Sequence, residues 1–312
     1  MFFFPLRTDG WERGRPWATI GVVVANYAVA VVFGCVEPYF GFLAPSDLLP
    51  SLVLDYDAFR PHTWITSAFV HADVAHLCGN MIFLLAFGTL VEGILGWRKL
   101  LALYLGIAFV SGALEQALFF GSGSASYGAS GCIFGIVAAA LLWAPRRHVT
   151  VFYWVWRWVG THDAPVWTLA FWWIGWEFLF AGAAGFRLGG PILHLLGAAV
   201  GFGAALLMLK KGWVDCGDED WLTLRAKERR AWEELRPAEK DLPPVQPPTG
   251  YELLQSFVEF WLPILAGGLI AVGLILVRIA DWARPNAALA ITLFALLLIA
   301  VGALLFRHWQ RR

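Results

Sequence analysis

Four polar side chains in an otherwise mostly apolar chain carry residue types that could do chemistry together: His76, Asn80, Ser130 and His194. Ser130 stands in YGASGCIFG (127–135), with Gly128 and Gly131 close on either side. A serine hydroxyl is a weak nucleophile until a neighbouring base accepts its proton. A neutral imidazole can do that and then return the proton to a leaving amine. His194, in LGGPILHLLGAAVGF, is the candidate base. A tetrahedral intermediate also needs donors aimed at its oxyanion. His76 and Asn80 lie one turn apart on one helix face in HADVAHLCGNMIF. With the backbone N–H groups at the start of the serine's helix, and its positive end, they are the candidate donors. No carboxylate is read as placed to orient the histidine, since Glu115 and Glu177 fall on other helices at other depths, so the expectation is a Ser130–His194 dyad.

The elements that must position these residues follow from composition. The chain has 59% hydrophobic and 15% charged residues and a mean hydropathy of +0.64, far from the average soluble domain. Its 18 Trp suit the boundary between headgroups and hydrocarbon. A net charge of zero points to no nucleic-acid partner. Cys35, Cys78, Cys132 and Cys216 are scattered and make neither a disulfide framework nor a metal-ligand cluster, so no metal or cofactor is expected.

With about 20 apolar residues per bilayer crossing, eight spans are predicted: 17–36, 76–95, 100–120, 126–143, 166–186, 189–209, 256–277 and 286–306. MFFFPLR lacks the basic leader of a signal peptide and no cleavage site follows the first span, which is therefore expected to be retained. Lys and Arg collect in the N-terminus, the second-to-third and fourth-to-fifth turns, the residues after span six and the tail. Leaving out the other six basic residues of the 210–250 linker, the split is 13 against 4, which predicts both termini on the cytoplasmic side of the plasma (inner) membrane.

Spans two, four and six then run inward from the outer face. At about 1.5 Å of rise per residue, Ser130 and His194 fall at roughly 6–9 Å of depth, beside the end that carries His76 and Asn80. Gly131 with Gly135, and Gly197 with Gly201, supply the small-residue spacing that lets helices four and six approach closely past both the serine and the histidine. Each residue also has a plainer reading. Ser130 could cap a helix, His76 and Asn80 could tie two helices together, and His71 could simply orient the 37–75 loop, the role favoured for it.

At these residues the sequence resembles the rhomboid family of intramembrane serine proteases. The resemblance rests on GASGCIFG, HADVAHLCGN and HLLGAAVG in that order, and covers roughly residues 17–209. It implies that Ser130 is the nucleophile, His194 its general base, and His76 and Asn80 oxyanion contributors. It further implies that Phe134 stacks on the histidine, that loop 37–75 is partly membrane-embedded, and that the fifth helix with a short cap loop acts as a gate. Gly128, beside the nucleophile, leaves room for substrate backbone. Leu193 stands where relatives usually have alanine, so packing there is expected to differ slightly.

The expected fold is an all-α polytopic membrane protein with a six-helix rhomboid-like core over 17–209 and two additional C-terminal transmembrane helices. Residues 1–16 form a cytoplasmic N-terminus. The 210–250 linker turns charged and then Pro-rich, with a helix over 219–236 facing the membrane surface and LPPVQPP as a stiff spacer; it is read mainly as a solvated tether. Residues 251–312 hold the last two spans and a basic tail. The expected function is an intramembrane serine endopeptidase whose partners are transmembrane protein substrates and the lipid bilayer. The alternatives are a catalytically silent relative that binds or escorts membrane proteins, and a transporter with histidines relaying protons.

Overall fold

Apolar runs become helices where nothing interrupts them, and the interruptions here are specific. The computed structural model describes residues 2–8, 15–35, 48–155, 157–183 and 189–235. The expected spans 256–277 and 286–306, the Pro-rich part of the linker and part of loop 37–75 lie outside them. In chain order the described residues form β1 (Phe2–Thr8), α1 (Trp17–Phe33), α2 (Leu49–Leu52), β2 (Leu54–Asp55), α3 (Thr63–Thr66), α4 (Val74–Phe83), α5 (Thr89–Leu95), α6 (Trp97–Phe119), β3 (Ala125–Ser126), α7 (Ser130–Trp143), β4 (His148–Val155), β5 (Trp158–Pro165), α8 (Val166–Ala183), α9 (Gly190–Lys210) and α10 (Trp221–Leu235).

Among them, Val74–Leu95, Trp97–Phe119 and Gly190–Lys210 are long and apolar enough to cross a membrane, and Trp17–Phe33 and Ser130–Trp143 are shorter apolar helices. A π-helical turn at Leu84–Gly88 joins α4 to α5. Gly96, at φ 77°, ends α5 and opens α6. Without side-chain capping at Pro16, the first N–H groups of α1 are orphans. Glu92 of α5 takes them over: its carboxylate accepts from Ala18 N at 2.9 Å, Thr19 N at 2.8 Å and Thr19 Oγ1 at 2.7 Å.

α7 is the central helix, with ten of its 14 residues buried. In a bilayer, close van der Waals packing holds helices together, and α7 provides it through small residues. A Cβ added at Gly197 of α9 would stand 2.7 Å from Gly131 C, and one added at Gly201 would stand 2.5 Å from Gly135 C. Backbone therefore packs on backbone along the α7–α9 crossing, as the paired glycines predict. At its far end Trp143 Nε1 donates to Ala205 O at 3.2 Å.

The chain is mostly helical, but the all-α expectation needs correction. β1, β4 and β5 make an antiparallel sheet in the order β1-β4-β5, and β2 pairs with β3. The first sheet runs from Phe2↔Trp154 to Thr8↔Val149, with a bulge between Pro5 and Arg7, and continues from His148↔Pro165 to Val155↔Trp158. The segment VTVFYWV, read above as part of a loop, is rich in the β-branched and aromatic residues that favour strands. The buried Thr8 hydroxyl donates to Ala86 O in the π-helical turn at 3.3 Å, tying the sheet to the helices.

The start of the linker is also more than a tether. Arg147 Nε meets Glu219 at 2.8 Å and Arg146 pairs with Glu228. Asp220 accepts from Leu222 N and Thr223 N, both at 3.0 Å, and so starts α10. Trp221 packs edge-on against Phe171 of α8, ring centroids 6.1 Å apart.

Candidate active site

Three helix N-termini, those of α4, α7 and α9, come together at one end of the helical unit. Ser130 is the first residue of α7, and no side chain caps that terminus. The N–H groups of its first turn are thus directed outward with the positive end of the helix. His194 lies in the first turns of α9, and its Nε2 is 2.9 Å from Ser130 Oγ. The Phe134 ring, one turn along α7, stacks on the imidazole with centroids 4.6 Å apart and planes 9° apart.

The approach to Ser130 is shaped by Gly128, whose φ of 123° belongs to the region that disfavours side chains. A Cβ there would also stand 3.1 Å from His76 Cε1. Its N–H donates to Ser67 O at 2.9 Å. His71 is fully buried behind this turn, 1% exposed, and its Nε2 accepts from Ala129 N at 3.5 Å. Burial, with His76 5.2 Å away ring to ring, pushes its pKa down to about 4, which keeps it neutral. His71 thus contacts the turn that presents the serine, a structural role at a different segment from the 37–75 loop expected above.

α4 begins at Asp73, whose carboxylate accepts from His76 N at 2.8 Å, the capping that fixes where His76 and Asn80 point. Both line a cavity of about 330 Å³ together with Gly79, Phe83, Ser130, Phe134, Trp173 and Glu177. Asn80 Nδ2 is buried there without a hydrogen-bond partner. An unspent amide donor facing the same space as a serine hydroxyl is what an oxyanion would use. Behind Ser130 lies a smaller polar cavity of about 40 Å³ that includes Ser67, Ser111, Glu115 and Ser126.

One expectation is overturned here. Glu177 of α8 is not at another depth: its Oε1 is 3.0 Å from His194 Nδ1. At that separation the contact lacks hydrogen-bond alignment, leaving Nδ1 without a formal partner. The earlier comparison of depths failed because α8 runs opposite to α9. Glu177 precedes the end of α8 at Ala183 by six residues and His194 follows the start of α9 at Gly190 by four. These offsets correspond to about 9 Å and about 6 Å along the two helices. The available signal was a lone carboxylate in an aromatic apolar run, LAFWWIGWEFLF, since an ionisable residue in such a span is itself a reason to suspect function. Trp173, also unanticipated, walls the cavity by meeting Phe83 at 4.5 Å and Phe87 at 5.5 Å between ring centroids. Among the described residues no cluster of three His, Cys, Asp or Glu side chains converges as a metal site would require.

Residues 58–211 match the family model of the rhomboid domain. The chain is similar, at 33% identity over 36% of its length and 34% of the other's, to RHOMBOID-like protein 12, mitochondrial, of Arabidopsis thaliana. It is 25% identical to Rhomboid-like protease 2 of Toxoplasma gondii, over 45% of this chain and 57% of that one. It is 31% identical to Rhomboid-like protein 16, chloroplastic, of Arabidopsis thaliana, over 35% and 32%. The chain thus spans between about a third and somewhat over half of the length of these curated relatives. By the domain at residues 58–211 and these relatives, and with its membrane-crossing helices, the chain is an integral membrane protein of the rhomboid family.

Proposed function

We propose that the chain is an intramembrane serine endopeptidase that cleaves peptide bonds in or near the transmembrane segments of membrane proteins. The observation that carries this reading is the 2.9 Å contact of His194 Nε2 with Ser130 Oγ, at the wall of a cavity of about 330 Å³. Ser130 Oγ attacks the scissile carbonyl carbon as its proton passes to His194 Nε2, and the carbonyl π pair moves onto oxygen. Asn80, His76 and the first N–H groups of α7 receive that oxyanion. His194 then protonates the departing amine as the C–N bond breaks, and water, activated by the same imidazole, hydrolyses the acyl-enzyme.

The six-helix transmembrane core over 17–209, followed by two further spans, is part of the same proposal. With 14 residues, α7 extends about 21 Å, short of a hydrocarbon core of about 30 Å. If Trp143 reaches one boundary, Ser130 is recessed by about 9 Å from the other. That recess supports entry of water from the face opposite the basic loops. Assignment of those loops and both termini to the cytoplasmic side of a plasma (inner) membrane rests on the asymmetry of Lys and Arg alone. Substrates would be helices that unwind readily where small or helix-breaking residues free the backbone. A catalytically silent, substrate-holding relative is the competing function; it has no need of the serine–imidazole contact. The two are separated by labelling the full chain with a serine-reactive fluorophosphonate in liposomes. Label that appears on the wild type and vanishes in Ser130→Ala and His194→Ala supports the protease. A wild type that neither labels nor cleaves any transmembrane test substrate overturns it.

A further inference from the structure

We infer that Glu177 is a positioning residue for His194, so that the reacting unit is a Ser130–His194–Glu177 triad whose third member is carried by α8; this rests on the protease reading above. For Nε2 to accept the serine proton, the neutral imidazole must carry its own proton on Nδ1. Nδ1 is buried and has no hydrogen-bond partner, and Glu177 Oε1 is 3.0 Å away. Phe134 fixes the plane of the ring by stacking, but a stacked ring can still turn within its plane. A carboxylate 3.0 Å from Nδ1 resists that rotation by its charge and favours the proton on Nδ1, and a small turn of either side chain brings the two into hydrogen-bond alignment. It also faces the imidazolium that forms once Nε2 takes the proton, as the third member of a serine triad does.

The surroundings strengthen the pairing. The side chains of His194 and Glu177 are only 22% and 18% exposed, so solvent screens the contact less than it would on a surface. His76 on α4 and Glu115 on α6 also interact electrostatically with His194. Glu115 is already engaged by the Ser126 hydroxyl at 2.6 Å, which leaves Glu177 as the carboxylate free to serve the imidazole.

Its position on α8 has a mechanical consequence. One face of that helix is exposed at Trp167, Phe171, Trp172, Phe178 and Leu179, while Trp173 holds the other against Phe83 and Phe87. Because Glu177 is carried by α8, any displacement of that helix from α9 withdraws the carboxylate from His194.

The test compares kcat and KM for wild type, Glu177→Gln and Glu177→Asp on one transmembrane substrate, with Ser130 labelling as a parallel readout. Gln keeps the shape of the side chain and removes its charge; Asp keeps the charge and changes the shape. The expected result is a kcat lowered roughly 10–1000-fold in Glu177→Gln, KM within about threefold, and partial recovery in Glu177→Asp. A purely structural latch gives the reverse order, Gln near wild type and Asp impaired, and that order overturns the inference. A wild type that labels and cleaves, with Glu177→Gln equally active, removes Glu177 alone; a wild type that does neither removes the protease reading as well.

Discussion

Replacing Gly197 by alanine should separate the serine from the histidine. The added Cβ would stand 2.7 Å from Gly131 C and 2.8 Å from Gly131 Cα, with the Gly131 carbonyl oxygen nearer still. Ordinary contact begins at 3.4 Å, so the shortfall is at least 3.4 − 2.7 = 0.7 Å against backbone, which cannot swing aside as a side chain can. α9 must therefore retreat by about 1 Å, because a close-packed interior has no slack to absorb the methyl group. His194 lies three residues before Gly197 on the same face, and Ser130 adjoins Gly131, so the displacement falls directly on the 2.9 Å contact. At about 3.9 Å it is no longer a hydrogen bond. A misplacement of about 1 Å costs on the order of 100-fold in rate, and overpacking costs about 1–3 kcal/mol of stability. The assay measures fluorophosphonate labelling and substrate turnover in the same liposomes, beside thermal unfolding. Gly203→Ala is the control, since nothing lies within 4 Å of its Cβ and activity should be unchanged. A folded Gly197→Ala protein that labels at the wild-type rate would refute the reasoning.

Three other outcomes are expected. Asn80→Ala should lower kcat by roughly 10–1000-fold with KM nearly unchanged, because its buried Nδ2 has no other partner; equal turnover removes Asn80 from the oxyanion site. Glu92→Ala strips the carboxylate from three buried donors at Ala18 and Thr19 and should destabilise by about 3–5 kcal/mol, read by thermal unfolding, while the fraction still folded labels normally. His71 binds its proton near pH 6.5 when unfolded but only near 4 when folded. The unfolded chain therefore holds more protons between those values, so stability falls as pH drops from 6.5 to 4, by at most about 3 kcal/mol. His71→Gln should flatten that dependence, and an unchanged profile would count against the buried neutral imidazole.

The parts of the site legible in the sequence were those that depend on position along single helices. Counting residues from the outer ends of three runs that all point inward brings Ser130 and His194 to one layer beside His76, and the glycine pairs identify which helices touch. What was missed depends on relations between segments. Glu177 became a neighbour only once α8 was followed toward the same end as the start of α9. Of the two pairings of VTVFYWV, the one with the adjacent β5 is local, but the one with β1 joins a strand about 140 residues earlier, which no local pattern announces. The π-helical turn leaves no periodic trace, since it adds a single residue to a run that stays apolar throughout.

The order β1-β4-β5 has a consequence for how the protein is made. Phe2–Thr8 is synthesised before its partner His148–Val155, which begins 148 − 8 = 140 residues later. At about 5–20 residues per second, the ribosome needs roughly 7–28 s to deliver that partner. Throughout that interval FFFPLRT exists as an aromatic edge with nothing to pair against, the kind of segment that recruits wrong partners. Until β4 emerges that edge has no native partner, so the hydrogen bonds of β1 form only after about 140 further residues have been made.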